Sequence, residues 1–124
     1  MLTCVFLGGE KMPVGDSAVV AVREIVTELI RGDGPLLSSH QLAVYLTCYV
    51  EDRAHTVRGL AADLRVSKSV ITRALDRLSE LDLARRSPDP ADRRSILIER
   101  TERGRALLAQ MERRAESAAP GVPH

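Results

Sequence analysis

The sequence predicts a mostly α-helical domain carrying one small β-hairpin near its C-terminal end. Three observations lead there. Apolar residues recur at helical spacing through five segments between Ser17 and Ser117. A Ser-x-x-Gln box, a Thr and a Ser stand directly in front of three of those segments. Finally, a Pro-Asp-Pro-Ala-Asp run separates two short strand-like stretches. With 124 residues, 44% hydrophobic and 28% charged, the composition is that of one soluble domain of ordinary size. Phe6, Tyr45 and Tyr49 are the only aromatic residues, so the core must be built from Leu, Ile, Val and Ala.

Residues 1–16 read as a flexible N-terminal tail. The apolar run Leu2–Leu7 has no preceding Lys or Arg, and it is too short for a signal-peptide core or a bilayer span. The expectation is a cytoplasmic, nucleoid-associated protein with no membrane partner. Met12 offers a second candidate start. A first helix is predicted over Ser17–Arg31, ended by Gly32-Asp33-Gly34-Pro35, and segment 17–37 is a candidate dimerisation element because its Ala and Val content is high for a surface helix.

Ser38-Ser39-His40-Gln41 has the pattern of a capping box, in which the Ser hydroxyl and the Gln amide satisfy each other's backbone donors. The helix it opens should run to about Asp52 or Arg53. Leu42, Tyr45, Leu46, Tyr49 and Val50 share one face while Val44 and Cys48 lie nearly opposite, so both sides should be covered. Thr56 caps a short third helix, Val57–Leu64, and Ser67 caps a fourth that continues to Leu81. Asp82 occupies a helix end, where Asp tolerates a left-handed backbone better than most residues. Ala84–Ser87 and Ser95–Arg100 read as the two strands of a hairpin about the turn Pro88–Asp92. Segment 101–124 holds a last helix from Thr101 to about Ser117, also a dimerisation candidate, and a loose tail from Pro120.

The third and fourth helices satisfy the requirements of a helix-turn-helix. Ala61 is small where the helices cross, and Leu60, Leu64 and Val66 anchor the first helix and the turn. Ile71, Ala74, Leu75, Leu78 and Leu81 form the inward stripe of the second. Arg65 stands where such turns often place Gly, at a modest cost if its φ is positive. Residues 38–100 are therefore predicted to be a winged helix-turn-helix that binds double-stranded DNA, with helix 67–81 in the major groove and wing 84–100 at the minor groove.

Net charge is only +1, but it is polarised. Arg53–Arg105 holds 13 basic and 8 acidic residues, a balance of +5, whereas the remainder holds 5 basic and 9 acidic, a balance of −4. Projected at 100° per residue, Ser69, Thr72, Arg73 and Arg77 point away from the apolar stripe, and Ser67 and Lys68 offer a helix N-terminus to a phosphate. Arg73 and Thr72 are the candidate base readers. Asp76, on the same face, has the wrong charge for phosphate and is expected to orient Arg73 or an arginine of the hairpin. Arg93 and Arg94 place guanidiniums at the wing tip, where narrow minor grooves attract Arg, and Arg85 and Arg86 reinforce them from the other strand.

Leu60-Ala61, Ser67–Arg73, Leu78–Leu83, Asp89–Arg94 and Thr101-Glu102-Arg103-Gly104 together resemble the MarR family of bacterial regulators over about Ser38–Leu108. The resemblance implies a sequence-specific transcriptional repressor acting as a homodimer, with Arg94 as the wing arginine, Asp92 as its supporting acid and 67–81 as the recognition helix. It also implies a candidate small-molecule pocket where Tyr45 and Tyr49 would lie. Arg100 and Asp82 depart from the family pattern, which has an aliphatic residue and a Gly there. About 20 residues follow Gly104, fewer than the long terminal helices of the family require. A smaller or rearranged dimer interface is implied, drawn from Val19, Val22, Val26 and Leu29 with Leu107, Leu108 and Met111.

No catalytic constellation is present: there is no Ser-His-Asp order, no phosphate-binding Gly loop and no isolated carboxylate pair, so no enzyme activity is expected. No cofactor or metal is expected either, since His40, His55 and His124 have no ligand spacing and are explained by capping and exposure. Cys48 reads as a small core residue and Cys4 as an exposed thiol without basic neighbours. Two alternatives remain at this level: a winged-helix module for protein contact, or a redox or ligand sensor with DNA binding as its output. Arg73, Arg77, Arg93 and Arg94 argue against the former, which would have no need of four guanidiniums on that face.

Overall fold

A computed structural model describes residues 4–7, 10–13, 17–32 and 34–118. The Cys4 side chain and the loose tail expected from Pro120 to His124 lie outside the described residues. The chain divides into two compact units, one of residues 37–108 and one of residues 1–36 with 109–124.

In the second of these units, β1 (Cys4–Leu7) and β2 (Glu10–Pro13) pair antiparallel, with Cys4 opposite Pro13 and Leu7 opposite Glu10. The expected tail thus contains a hairpin. Helix α1 (Ser17–Arg31) has the predicted bounds. Its apolar residues divide: Leu29 is buried, while Val19, Val22, Val26 and Ile30 are exposed by between 39 and 67%. Leu107 of unit 37–108 and Met111 are buried as well, so these two and Leu29 leave the predicted dimer set because the chain itself already covers them. No helix among the described residues is long and apolar enough to cross a membrane.

Unit 37–108 begins with α2 (Ser39–Val50), which carries the predicted capping box: Gln41 N donates to Ser38 Oγ at 3.2 Å and Ser38 N donates to Gln41 Oε1 at 2.9 Å. The helix ends at Val50, earlier than the sequence suggests, and Val50 is exposed. Arg100 accounts for this stop. Its Nε donates to the Cys48 carbonyl at 2.8 Å and its Nη2 to the Glu51 carbonyl at 3.1 Å, satisfying carbonyls that a helix end leaves open. An aliphatic residue at 100 could not do this. As expected for a central helix, α2 buries Val44 and Cys48 as well as Tyr45 and Tyr49.

Next come β3 (His55–Thr56), α3 (Val57–Leu64), α4 (Lys68–Glu80), β4 (Ala84–Asp89), β5 (Asp92–Arg100) and α5 (Glu102–Ala118). The strands form a three-stranded antiparallel sheet in the order β3-β5-β4. The wing therefore has a third strand the sequence does not announce, two residues paired as His55 with Ile98 and Thr56 with Leu97. His55 is buried rather than exposed, its Nε2 lying 3.0 Å from the Glu51 carbonyl. Leu60, Ile71, Leu75, Leu78 and Leu83 join Val44 and Tyr45 as the fully buried core, which is aliphatic apart from the tyrosines.

Among the described residues, two non-glycine residues adopt left-handed backbone, and both end helices. Arg65 (φ 56) closes α3 and Asp82 (φ 57) closes α4. In each turn an amide reaches back five residues: Val66 N to Ala61 O at 3.0 Å, and Leu83 N to Leu78 O at 2.8 Å. These two turns set the direction of α4 after α3 and of the wing after α4.

Candidate nucleic-acid interface

Helix α4 presents two polar rows. Lys68, Thr72 and Asp76, four residues apart, form one, and Ser69 and Arg73 begin the next. All five are exposed, whereas Ile71, Ala74, Leu75 and Leu78 on the reverse side are buried. The helix begins at Ser67, whose hydroxyl accepts from Val70 N at 3.3 Å and leaves Lys68 and Ser69 in the first turn with exposed backbone donors.

A notch of about 230 Å³ opens between this helix, the start of α3 and the wing. Lys68 and Thr72 line it from α4, Thr56, Val57 and Arg58 from the β3–α3 junction, and Arg86, Arg94, Ser95 and Ile96 from the hairpin. Four cations thus converge on one concave surface. The structure brings the predicted Lys68, Thr72 and Arg94 together here. Ser67, Ser69, Arg73 and Arg77 lie on the same helix outside the notch, and Arg93 lies at the exposed tip without lining it. Arg58 was missed: in sequence it is a lone arginine on a helix otherwise read for its apolar anchors, and only the β3 pairing carries that helix start to the wing.

Acidic residues on the same surface are engaged. Asp76 Oδ1 is 2.7 Å from Arg86 Nη2, so of the two predicted partners it takes the hairpin arginine rather than Arg73. Glu80 pairs with Arg77 at 3.2 Å, and Asp82 with Arg85 at 3.4 Å. Asp92 supports the wing through the backbone: Oδ1 accepts from Arg94 N at 3.0 Å and Oδ2 from Ser95 Oγ at 3.2 Å. Asp89 closes the tip similarly, its Oδ1 accepting from Ala91 N at 2.8 Å. Among the described residues, Arg58, Lys68, Arg73, Arg93 and Arg94 make no ion pair.

Tyr45 and Tyr49, expected at a ligand pocket, sit inside the core. Both rings are buried, their centroids 4.7 Å apart, and both hydroxyls are used by the backbone. Tyr45 Oη donates to the Gly104 carbonyl at 2.7 Å, and Tyr49 Oη donates to the Leu83 carbonyl at 2.7 Å while accepting from Thr101 N at 2.8 Å. Both are core residues, and Gly104 packs directly on one of them: a Cβ at Gly104 would stand 1.8 Å from the Tyr49 oxygen. Cys48 is likewise a core residue, its thiol pushed up to about 11 by burial, against the opposing pull of Arg100. No thiolate forms there near neutral pH, and a sensor role for Cys48 falls with it.

Comparisons with known proteins agree with this architecture. The MarR family profile matches residues 37–96. The chain is 44% identical over 59 residues to the HTH-type transcriptional repressor NicR of Pseudomonas putida, covering 48% of this chain and 35% of that protein, so it spans about a third of the length of this relative. Among solved structures, the transcriptional regulator Tm0710 from Thermotoga maritima superposes with a TM-score of 0.68 at 27% identity, over 81% of this chain and 67% of that one. CouR from Rhodococcus jostii, solved with p-coumaroyl-CoA bound, gives 0.61 at 27% identity over 85% and 71%. With its capped helix pair, three-stranded wing and Asp-Arg-Arg tip, this chain is similar, through residues 37–96, to the MarR family.

Proposed function

We propose that the chain is a sequence-specific double-stranded DNA-binding transcriptional regulator, acting as a repressor. The observation that carries this reading is the convergence of cations from three elements, Arg58, Lys68 and Arg94, which make no ion pair among the described residues, beside the exposed row of Ser69 and Arg73. Phosphate contacts position such a protein, and base contacts specify its site. Lys68, Arg58 and the α4 N-terminus grip the backbone, Thr72 and Arg73 read base edges in the major groove, and Arg94 with Arg93 reaches the minor groove. Similarity to NicR, a transcriptional repressor, supports the sign of regulation.

A homodimer on a two-fold operator completes the reading. The exposed residues Val19, Val22, Val26 and Ile30 recur at i, i+3, i+7 and i+11 on one face of α1, and they are the apolar surface a second copy would cover. The reading assigns no catalysis, no cofactor and no membrane partner, and it places the protein in the cytoplasm on the nucleoid. CouR binds an acyl-CoA, and a small-molecule effector for this chain would need a site other than Tyr45 and Tyr49.

A gel-shift titration against the DNA upstream of the protein's own reading frame, at several salt concentrations, tests this. Affinity should fall linearly in log K against log salt. Arg94→Ala should weaken binding to every duplex, and Arg73→Ala should in addition cut discrimination between bases by about 1–3 kcal/mol. Salt-insensitive binding, or no binding, sinks the proposal.

A further inference from the structure

The Asp76–Arg86 pair puts a carboxylate on the surface proposed to meet phosphates, where it opposes the ligand. Arg86 Nη2 lies 2.7 Å from Asp76 Oδ1, with the two side chains 32% and 54% exposed, and Arg86 is one of the four cations lining the notch. Arg58, Lys68 and Arg94, the other three, make no ion pair among the described residues. A neutralised pair presents almost no net charge to a phosphate a few ångströms away, well inside the screening length of about 8 Å at physiological salt. Neutralising no phosphate, the pair also displaces no condensed counterion from the DNA. Arg77 is engaged likewise by Glu80 on the neighbouring row.

We propose that Asp76 sets the charge of the DNA face by holding Arg86 to α4, so that the notch offers three cations to the DNA backbone instead of four. The inference rests on the DNA-binding reading above. Its effect is to subtract one phosphate contact from sequence-independent binding, leaving the exposed Ser69 and Arg73 row a larger share of the total. Asp76 is thus a residue that lowers affinity for DNA in general, placed at the foot of the wing where a scaffold-only role would otherwise be assumed.

Salt-dependent titration of a mixed-sequence duplex separates these roles. Asp76→Asn frees Arg86, and log K against log salt should steepen by about 0.9, with several-fold tighter binding at physiological salt. The double variant Asp76→Asn/Arg86→Gln removes a neutral pair and should return to the wild-type slope, and Asp76→Glu, keeping the charge, should stay there. A slope unchanged by Asp76→Asn, or binding weakened by it, overturns the proposal and leaves Asp76 as a brace for the wing. Wild-type protein with no salt-dependent binding at all overturns the DNA reading and this inference with it, an outcome distinct from the previous one because it appears before any substitution is made. All three variants alter exposed side chains, and circular dichroism at the assay temperature checks that each is folded.

Discussion

The Tyr49 hydroxyl donates to the Leu83 carbonyl and accepts the Thr101 amide, and Thr101 Oγ1 in turn donates to the Asp82 carbonyl at 2.6 Å and accepts from Gly104 N at 3.0 Å. Removing one oxygen leaves two buried backbone groups unpaired, so Tyr49→Phe should lose about 1–3 kcal/mol of stability, read from urea unfolding. Gly104→Ala should cost at least as much, because its Cβ would overlap the Tyr49 hydroxyl and approach the Leu83 carbonyl to 2.7 Å. Cys48 makes a different prediction. Its thiol titrates near 9.0 when unfolded and near 11 when folded, so the stability linked to it is complete below pH 9 and is lost as pH rises towards 11. Cys48→Ala should flatten that part of the stability-against-pH curve. At this scale the sequence told which tyrosines are buried, from their place on an apolar face. It could not tell what their hydroxyls bind, because the partners are backbone atoms 34 to 59 residues away.

The elements are held at their ends. Ser38, Thr56 and Ser67 each accept the amide three residues on, and these starts were legible because Ser and Thr at such positions act locally. Helix stops were harder. Arg65 and Asp82 give no Gly to mark a left-handed turn, and the end of α2 depends on Arg100, 49 residues beyond Glu51. Arg65→Gly should raise stability by up to about 1 kcal/mol, since Gly carries no Cβ penalty at φ 56, while Arg65→Val should lower it; chemical denaturation of the two variants decides the sign. The wing is longer than its turn residues suggest, with β4 reaching Asp89 and β5 starting at Asp92. Pro88 is tolerated in β4 because that strand is an edge of the sheet, where a missing amide breaks no ladder. β3, only two residues long, was beyond any periodicity argument.

For the whole molecule, the basic balance and the exposed valine stripe occupy different segments. The basic balance lies in Arg53–Arg105, and the exposed valines lie on α1. The segment proposed to face DNA was readable because helix periodicity and turn chemistry are local, and because the family motifs fall within it. The coverage of the remaining α1 stripe was not, since the proposed dimer would supply it from a second chain. Val22→Glu with Val26→Glu should leave each chain folded, as both valines are exposed, and should shift the protein to monomer in sedimentation equilibrium while weakening DNA binding. A folded wild type that sediments as a monomer at all concentrations would remove the dimer from the proposal.

The knot of hydrogen bonds at Tyr49 also bears on motion. Leu83 lies just before β4 and Thr101 just after β5, so one phenol oxygen pins both feet of the hairpin to the central helix. The wing cannot swing as a rigid flap about its base, and its freedom is confined to the outer half, beyond the shift in register at Pro88 and Asp89. Amide hydrogen exchange should therefore be graded along one strand: the Thr101 amide opening only with global unfolding, and the amides of residues 91–94 exchanging far faster. A wing anchored this way bends at its tip, which places Arg93 and Arg94 on the most compliant part of an otherwise fixed frame.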